Sequence, residues 1–168
     1  MNTVKGPDIR DVAAKFLAYR SHTIQEMRRH LKQKDFDEEA IDGLIEDFVE
    51  YGYLDDERYA KQYFDYAFSK GKGKRAAFTE LKEKGIDSDI IQFAFEDMEA
   101  EYDEKGRARE EARKVLRMAG IEFDGDGRIC EESRQLVDEK LIAKAARRLQ
   151  SKGYGSDTIY SVIGEMRR

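Results

Sequence analysis

The sequence repeats one short frame three times. In each copy a leucine is followed three residues later by a lysine, then by Asp or Gly and by a bulky apolar residue, with an isoleucine ten residues after the leucine. The copies are Leu31, Lys34, Asp35, Phe36 and Ile41; Leu81, Lys84, Gly85, Ile86 and Ile91; and Leu149, Lys152, Gly153, Tyr154 and Ile159. An internal repeat of this kind predicts a tandem array of small modules.

The apolar positions that follow continue in register. They are spaced as i, i+3, i+4 and i+7, which is typical of one face of an α-helix. The matching sets are Ile41, Leu44, Ile45 and Phe48; Ile91, Ala94, Phe95 and Met98; and Ile159, Val162, Ile163 and Met166. Each copy of the frame therefore predicts two helices separated by a break at its Asp or Gly.

The length and composition agree with an array of helical modules. The 168 residues divide into modules near the lower size limit for independent folding, so each should be stabilised by its neighbours. Charged residues make up 40% of the chain, with one proline and no tryptophan, which favours helix. We predict an all-α fold with three-helix modules at residues 8–52, 53–101 and 102–168.

Capping residues mark the helix ends of module 1. Thr23 and Glu26 have the spacing of a capping box, in which each side chain accepts a backbone amide of the other residue. Asp37 is placed to cap the next helix, and Gly52 lies where a left-handed residue ends it. We therefore expect helices over residues 23–33 and 37–50.

Charges of opposite sign are segregated by helix. Residues 35–57 contain eleven acids and residues 87–104 contain eight, and neither segment has Lys or Arg. The second helices are basic: residues 24–34 carry four bases and one acid, 70–84 six and two, and 140–152 five and none. The formal net charge of −5 argues against a simple nucleic-acid coat, whereas three basic helices in equivalent places are candidates for partner contacts.

A segment of module 3 interrupts the repeat. The leucines of the frame are 50 and then 68 residues apart, so we interpret residues 119–137 as an inserted loop. An Asp-Gly-Asp-Gly run that starts at Asp124 opens like a calcium loop. Ile129 occupies the position where such a loop needs glycine, so a plain turn is favoured.

Gly71 and Gly73, with lysines on either side, allow two interpretations. Glycines let backbone amides approach an oxyanion that lysines then neutralise, so the segment could cradle phosphate. No strand is predicted before it and it lacks Gly-Lys-Ser/Thr, which argues against a nucleotide P-loop. A solvated turn closed by glycine and a functional basic patch remain equally favoured.

No enzyme or metal site is indicated. His22 and His30 have no cysteine nearby, so a zinc site lacks ligands, and the lone Cys130 cannot form an intrachain disulfide. We expect a protein without catalysis or cofactor. Neither a secretory signal nor a membrane-spanning stretch is recognisable, so we expect it in the cytoplasm.

The chain resembles the RecX family of bacterial regulatory proteins from about residue 8 to 166. The order and spacing of several fragments carry the resemblance. They are Thr23-Ile-Gln-Glu-Met27 with Leu31, Gly52-Tyr-Leu-Asp-Asp-Glu-Arg-Tyr-Ala60, Gly73 with Leu81-Lys-Glu-Lys-Gly85-Ile86, and Leu149-Gln-Ser-Lys-Gly153-Tyr154. Module 3 departs from the family pattern, because Lys152-Gly153-Tyr154 replaces the usual Arg-Gly-Phe and the loop has no counterpart.

The resemblance implies an elongated, curved, monomeric array without catalysis of its own. Such a protein binds the RecA recombinase filament, lies in its helical groove and restrains its ATPase and strand-exchange activity in DNA repair and recombination. The basic helices supply the candidate contacts with the filament or with DNA. These are Arg28, Arg29, Lys70, Lys72, Lys74, Arg75, Lys144, Arg147 and Arg148.

The alternative is a protein that binds single-stranded or duplex DNA directly, because a three-helix module is close in plan to a helix-turn-helix unit. Here the presumed recognition helix of each pair is acidic, which is the wrong sign for a helix near phosphates. We therefore expect any direct DNA binding to be weak.

Overall fold

The structure, a computed structural model, describes residues 6–168, and these residues are all-α as predicted. None of their helices is both long and apolar enough to cross a lipid bilayer. The helices are α1 (Ile9–Leu17), α2 (Ile24–Gln33), α3 (Glu38–Glu50), α4 (Asp56–Ser69), α5 (Lys74–Glu83), α6 (Ser88–Glu99), α7 (Glu104–Met118), α8 (Glu131–Arg134), α9 (Glu139–Ser151) and α10 (Ser156–Met166).

The helices follow the predicted order of three three-helix groups, with α8 as an addition in the third. Backbone packing divides the described chain into two compact units. The first unit holds the residues up to Tyr63 together with Glu80–Met98, and the second holds Phe64–Thr79 with Glu99–Arg168. This division passes through α4 and α5, and the module boundaries near residues 52 and 101 stay a prediction.

In the first unit, α1, α2 and α3 pack around one apolar core. Leu31 and Ile41 of the repeat frame are fully buried, and so is Met27 one turn before the leucine. Leu44 and Phe48 continue the buried stripe along α3. Burial of each such side chain stabilises the fold by roughly 1.5–3 kcal/mol, so the predicted stripe is the main source of stability here.

The predicted caps of the first unit are confirmed. The Thr23 hydroxyl accepts the Glu26 amide at 3.1 Å while the Glu26 carboxylate accepts the Thr23 amide at 3.0 Å. Asp37 accepts the Ala40 amide at 2.8 Å and begins α3. Gly52 has the left-handed φ of 76° that ends this helix.

In the second unit, α7, α9 and α10 enclose the other core. Leu149 and Val162 are fully buried within it, in agreement with the third copy of the frame. The inserted segment at residues 119–137 is more ordered than a loop. It contains α8 and a single antiparallel bridge between Phe123 and Ile129, and it adds Ile121 to the core. Burial of these apolar side chains fixes a segment that we predicted only as a loop.

Two equivalent hydrogen-bonded contacts, which we call junctions, join successive groups. In the first unit the Thr23 hydroxyl donates to the Lys84 carbonyl at 2.8 Å. In the second unit the Gly73 amide donates to the Lys152 carbonyl at 2.7 Å. Thr23 and Gly73 each lie eight residues before the leucine of their frame, and the two lysines are frame positions. The start of one second helix therefore docks on the frame turn of the next group.

Each junction has a second bond one residue further along. The Ile24 amide donates to the Asp56 carboxylate at 2.9 Å, and the Lys74 amide donates to the Tyr102 phenol at 3.1 Å. Helix N-termini have backbone amides without intrahelical partners, so both junctions satisfy groups that would otherwise need water. Burial, the largest influence, raises the pKa of the Asp56 carboxyl.

The frame glycines are required by the junctions. Gly85 and Gly153 have left-handed φ values of 85° and 82°. A Cβ at Gly85 would lie 2.5 Å from the Gln25 Cβ, and one at Gly153 would lie 2.6 Å from the Ala76 backbone nitrogen. Asp35 adopts the same left-handed turn with φ 63° and is exposed. Because position 35 is exposed, the first frame can carry a residue larger than glycine there.

Both histidine rings stack on the ring of Phe16. The Phe16 ring lies 3.6 Å from the His22 ring and 3.9 Å from the His30 ring, centroid to centroid. His22 is buried, and its ring nitrogens lie 3.1 Å from the Phe16 carbonyl and 3.3 Å from the Glu26 carboxylate. Burial, the largest cause, lowers the pKa of both imidazoles, so the neutral rings are favoured in the folded state.

We expect acid to destabilise the first unit through these histidines. Because their folded pKa lies below the unfolded value of about 6.5, the unfolded chain binds more protons as pH falls through that value. The free energy of unfolding should therefore decrease between about pH 7 and pH 5.5. In a variant with His22→Gln and His30→Gln this decrease should be smaller, as measured by urea denaturation. An equal decrease in the free energy of unfolding for the two proteins would show that these histidines do not cause it.

Candidate partner-binding surface

The nine predicted contact residues fall unevenly on the two units. Arg28 and Arg29 lie on α2 in the first unit, and the other seven lie in the second. Their contact with a partner stays a prediction, and several of their charges are already paired within the part of the chain that the structure describes.

Arg28 is paired within its own module. Its guanidinium lies 2.6 Å from the Asp42 carboxylate and 3.4 Å from Glu38, both on α3. Lys32 also pairs with Glu38. The segregated charges of α2 and α3 therefore meet as ion pairs between neighbouring helices. Arg29 is exposed and has no ion-pair partner among residues 6–168.

The backbone amides at Gly71–Lys74 are all engaged. Those of Gly71 and Lys72 donate to the carbonyls of Phe68 and Ala67, both at 3.0 Å, and close the end of α4. The amides of Gly73 and Lys74 make the junction bonds described above. No amide of this turn is available to an oxyanion, so a backbone phosphate cradle is excluded. The glycines have structural roles, and any binding here would depend on side chains.

The side chains of this segment differ in their surroundings. The Lys70 ammonium lies 5.9 Å from the centroid of the Tyr66 ring, within range of a cation–π contact. The Lys74 ammonium lies 4.0 Å from Glu99 and 5.3 Å from the centroid of the Phe78 ring. The Arg75 side chain is exposed and reaches no ion-pair partner in the described chain.

On α9 the predicted contacts share one helix face. Lys144, Arg147 and Arg148 follow an i, i+3, i+4 pattern, so their side chains project to the same side. All three are exposed. Of the three, Arg148 alone has a carboxylate partner within the part of the chain that the structure describes, Glu111 at 3.4 Å.

The second junction brings the two basic segments together. Besides the Gly73–Lys152 bond, the Lys152 ammonium donates to the Lys70 carbonyl at 2.8 Å and the Tyr154 phenol donates to the Gly71 carbonyl at 3.0 Å. Lys152 directly follows α9. The end of α9 thus lies against the turn at Gly71–Lys74. Seven predicted contact residues belong to these two segments, and we treat them together as one candidate surface. We call it the basic surface: Lys70, Lys72, Lys74, Arg75, Lys144, Arg147 and Arg148.

Glu111 supports this surface and was missed in the sequence. It is only 2% exposed on α7, and its carboxylate pairs with Lys114 and Arg148. A Cβ at Gly71 would lie 2.5 Å from the Glu111 Cδ, so the acid also packs against the junction turn. The sequence contains a pattern that could have identified it, because Glu111 lies on the apolar face of α7 with Ala108 and Ala112. A carboxylate on such a face indicates a buried ion pair.

Two tyrosines complete the junction. Burial, the largest cause, raises the pKa of Tyr102 to about 12 and also raises that of Tyr154. Both phenols therefore stay protonated near neutral pH and act as hydrogen-bonding groups, without basic character. Their role is to hold the start of α5 in place.

The remaining candidate, the Asp-Gly-Asp-Gly segment, is the plain turn that we predicted. One Asp124 carboxylate oxygen accepts the Asp126 amide at 3.0 Å and the Arg128 amide at 2.8 Å. Within residues 6–168, no group of three or more His, Cys, Asp or Glu side chains is arranged to hold a metal ion.

Comparisons with known proteins show which family this chain is similar to. The family model of the first three-helix domain of RecX matches residues 10–48, and that of the second matches residues 55–94. A regulatory protein RecX of Mycobacterium sp. (strain KMS) is 31% identical over 156 residues, which cover 92% of this chain and 81% of the relative. The RecX of Bacillus velezensis is 32% identical over 153 residues, or 90% of this chain. The chain spans about half the length of the Bacillus relatives that it matches, 52% and 53%.

Solved structures give the same result for the fold. The crystal structure of RecX from Lactobacillus salivarius superposes with a TM-score of 0.74 over 94% of both chains, at 21% identity. A second crystal structure of a regulatory protein RecX superposes with a TM-score of 0.71 at 20% identity, over 94% of this chain and 73% of that one.

Proposed function

Since this chain belongs to the RecX family of regulatory proteins, we propose that it binds the RecA recombinase filament and lowers its ATPase and strand-exchange activity. In this proposal it regulates DNA repair and recombination in the cytoplasm as a monomer without catalysis of its own. The basic surface in the second unit makes contacts, and Arg28 and Arg29 on α2 in the first unit make contacts of their own.

The observation that carries the proposal is the second junction. The bond of 2.7 Å between the Gly73 amide and the Lys152 carbonyl fixes two basic segments that are far apart in sequence. A surface held in place before binding loses less conformational entropy when a partner docks. Three-helix groups in tandem also suit a filament of repeated subunits, because linked weak contacts strengthen one another through effective concentration.

The direct test is the rate of ATP hydrolysis by RecA on single-stranded DNA. Adding the purified protein should lower the steady-state rate in a concentration-dependent way. The protein should also sediment with RecA filaments. An unchanged rate with the protein in excess over RecA would overturn the proposal.

Binding to DNA alone is the competing explanation for a lower rate. Titration of labelled single-stranded and duplex DNA over a range of salt concentrations separates the two, because phosphate contacts weaken steeply as salt rises. We expect any binding to bare DNA to be much weaker than binding to the filament. Tight, salt-sensitive binding to bare DNA together with no binding to RecA would favour the alternative.

A further inference from the structure

A second charged site lies in the inserted segment of the third group. A groove of about 470 Å³ opens between α7, α10 and residues 123–134. Its lining contains five arginines and two acids, Asp126 and Glu165. The arginines, which define what we call the arginine groove, are Arg109, Arg113, Arg128, Arg134 and Arg168.

The inserted segment that forms one wall is held by hydrogen bonds of its own. The Glu122 amide donates to the buried Ser133 hydroxyl at 3.0 Å, and the Cys130 amide donates to the Glu122 carbonyl at 2.9 Å. Ordering a long connection costs conformational entropy, and ordered long loops are commonly functional. The groove is therefore formed before any ligand arrives.

Three of the arginines are held in place by the chain. Arg109 makes a bidentate pair with the Glu165 carboxylate, at 2.8 and 3.1 Å. Arg113 donates to the Gly127 carbonyl at 2.8 Å, and Arg134 donates to the Arg168 carbonyl at 2.6 Å. The Arg128 and Arg168 side chains have no hydrogen bond or ion pair with any described residue. Two guanidinium groups are thus available to a ligand.

The groove accepts a carboxylate and offers little for stacking nucleic-acid bases. Arg109 binds the Glu165 carboxylate in bidentate fashion, and this hydrogen bond lowers the pKa of Glu165. Among residues 6–168, Phe123 is the one aromatic residue that lines the groove. Its ring centroid lies 5.6 Å from the Arg113 guanidinium carbon and 5.4 Å from that of Arg117. Because two cations already use this ring, it is a poor platform for stacking a base.

Apolar side chains complete the lining. Phe123 and Ile129 are half-buried and form the accessible apolar part of the lining, whereas Val162 and Met166 belong to the buried core. We propose that the arginine groove binds an acidic segment of a partner protein in which Asp or Glu side chains alternate with apolar ones. This site is separate from the basic surface, and the proposal does not depend on RecA binding.

Fluorescence anisotropy with the full chain tests the proposal. The probes are a labelled peptide in which Asp and Glu alternate with Leu, the same peptide with Asn and Gln in place of the acids, and labelled oligothymidylate. The groove variant carries Arg128→Glu and Arg168→Glu. The control carries Lys15→Glu and Lys82→Glu, two exposed lysines outside the groove, so it has the same change in net charge.

We expect the wild type and the control to bind the acidic peptide alike, and the amide peptide to bind weakly to both. The groove variant should bind the acidic peptide at least about tenfold more weakly, a difference of about 1.4 kcal/mol. Its circular dichroism spectrum should match that of the wild type. Equal binding by the groove variant and the control, no binding of the acidic peptide to the wild type, or tighter binding of oligothymidylate in the groove would each overturn the proposal.

Discussion

Replacing Gly153 by alanine is expected to lower the free energy of unfolding by roughly 2–4 kcal/mol. The residue has a φ of 82°, where a Cβ is strained, and the new atom would lie 2.6 Å from the Ala76 backbone nitrogen. A backbone atom cannot rotate away as a side chain can. Relief of the clash therefore requires the junction between Gly73 and Lys152 to open. Urea denaturation followed by circular dichroism measures the loss.

Asp35→Ala is the matched control for this substitution. Position 35 has the same place in the repeat frame and a left-handed φ of 63°, but it is exposed. Its substitution therefore measures backbone strain without the clash, and we expect a cost of about 1 kcal/mol or less. A Gly153→Ala variant no less stable than Asp35→Ala would show that the frame glycine serves the turn alone and that the second junction is not a close contact.

The helices could be predicted from the sequence because their signals are local. The i, i+3, i+4, i+7 stripes and the caps lie within single helices, and they gave the bounds of α2 and α3 closely. Thr23 shows both the success and its limit. The capping box follows from the spacing to Glu26, whereas the bond from the same hydroxyl to the Lys84 carbonyl joins residues 61 positions apart. No local pattern contains that contact.

Charge patterns had the same limit. The acidic and basic segments could be counted, but which charges meet depends on packing. Arg28 turned out to be paired with Asp42, whereas Arg147 has no ion-pair partner among the described residues. The two interpretations of the Gly71 and Gly73 turn, a phosphate cradle and a structural turn, could be distinguished only once the partners of its backbone amides were known. The inserted segment was least predictable, because one bridge and a single-turn helix leave no periodicity to detect.

Reversing the charge of Lys72, Lys74 and Arg75 together is expected to weaken inhibition of the RecA ATPase at least about tenfold in protein concentration. If these side chains face an anionic partner surface, each glutamate replaces an attraction by a repulsion, and like charges brought together across an interface cost several kcal/mol. The junction bonds at this turn use backbone amides of Gly73 and Lys74, so the substitutions leave them in place. Helical content should therefore be unchanged by circular dichroism.

The control for charge is a variant with Lys15→Glu, Lys82→Glu and Lys105→Glu, three exposed lysines outside the basic surface. It has the same net charge as the first variant, so a general electrostatic effect would weaken inhibition equally in both. Weakening confined to the Lys72, Lys74 and Arg75 variant would localise the contact to the turn at the second junction. If that variant inhibits as well as the wild type, the contact lies on another face. In that case Arg29 on α2 and Lys144 and Arg147 on α9, which are exposed and without ion-pair partners in residues 6–168, become the next residues to reverse.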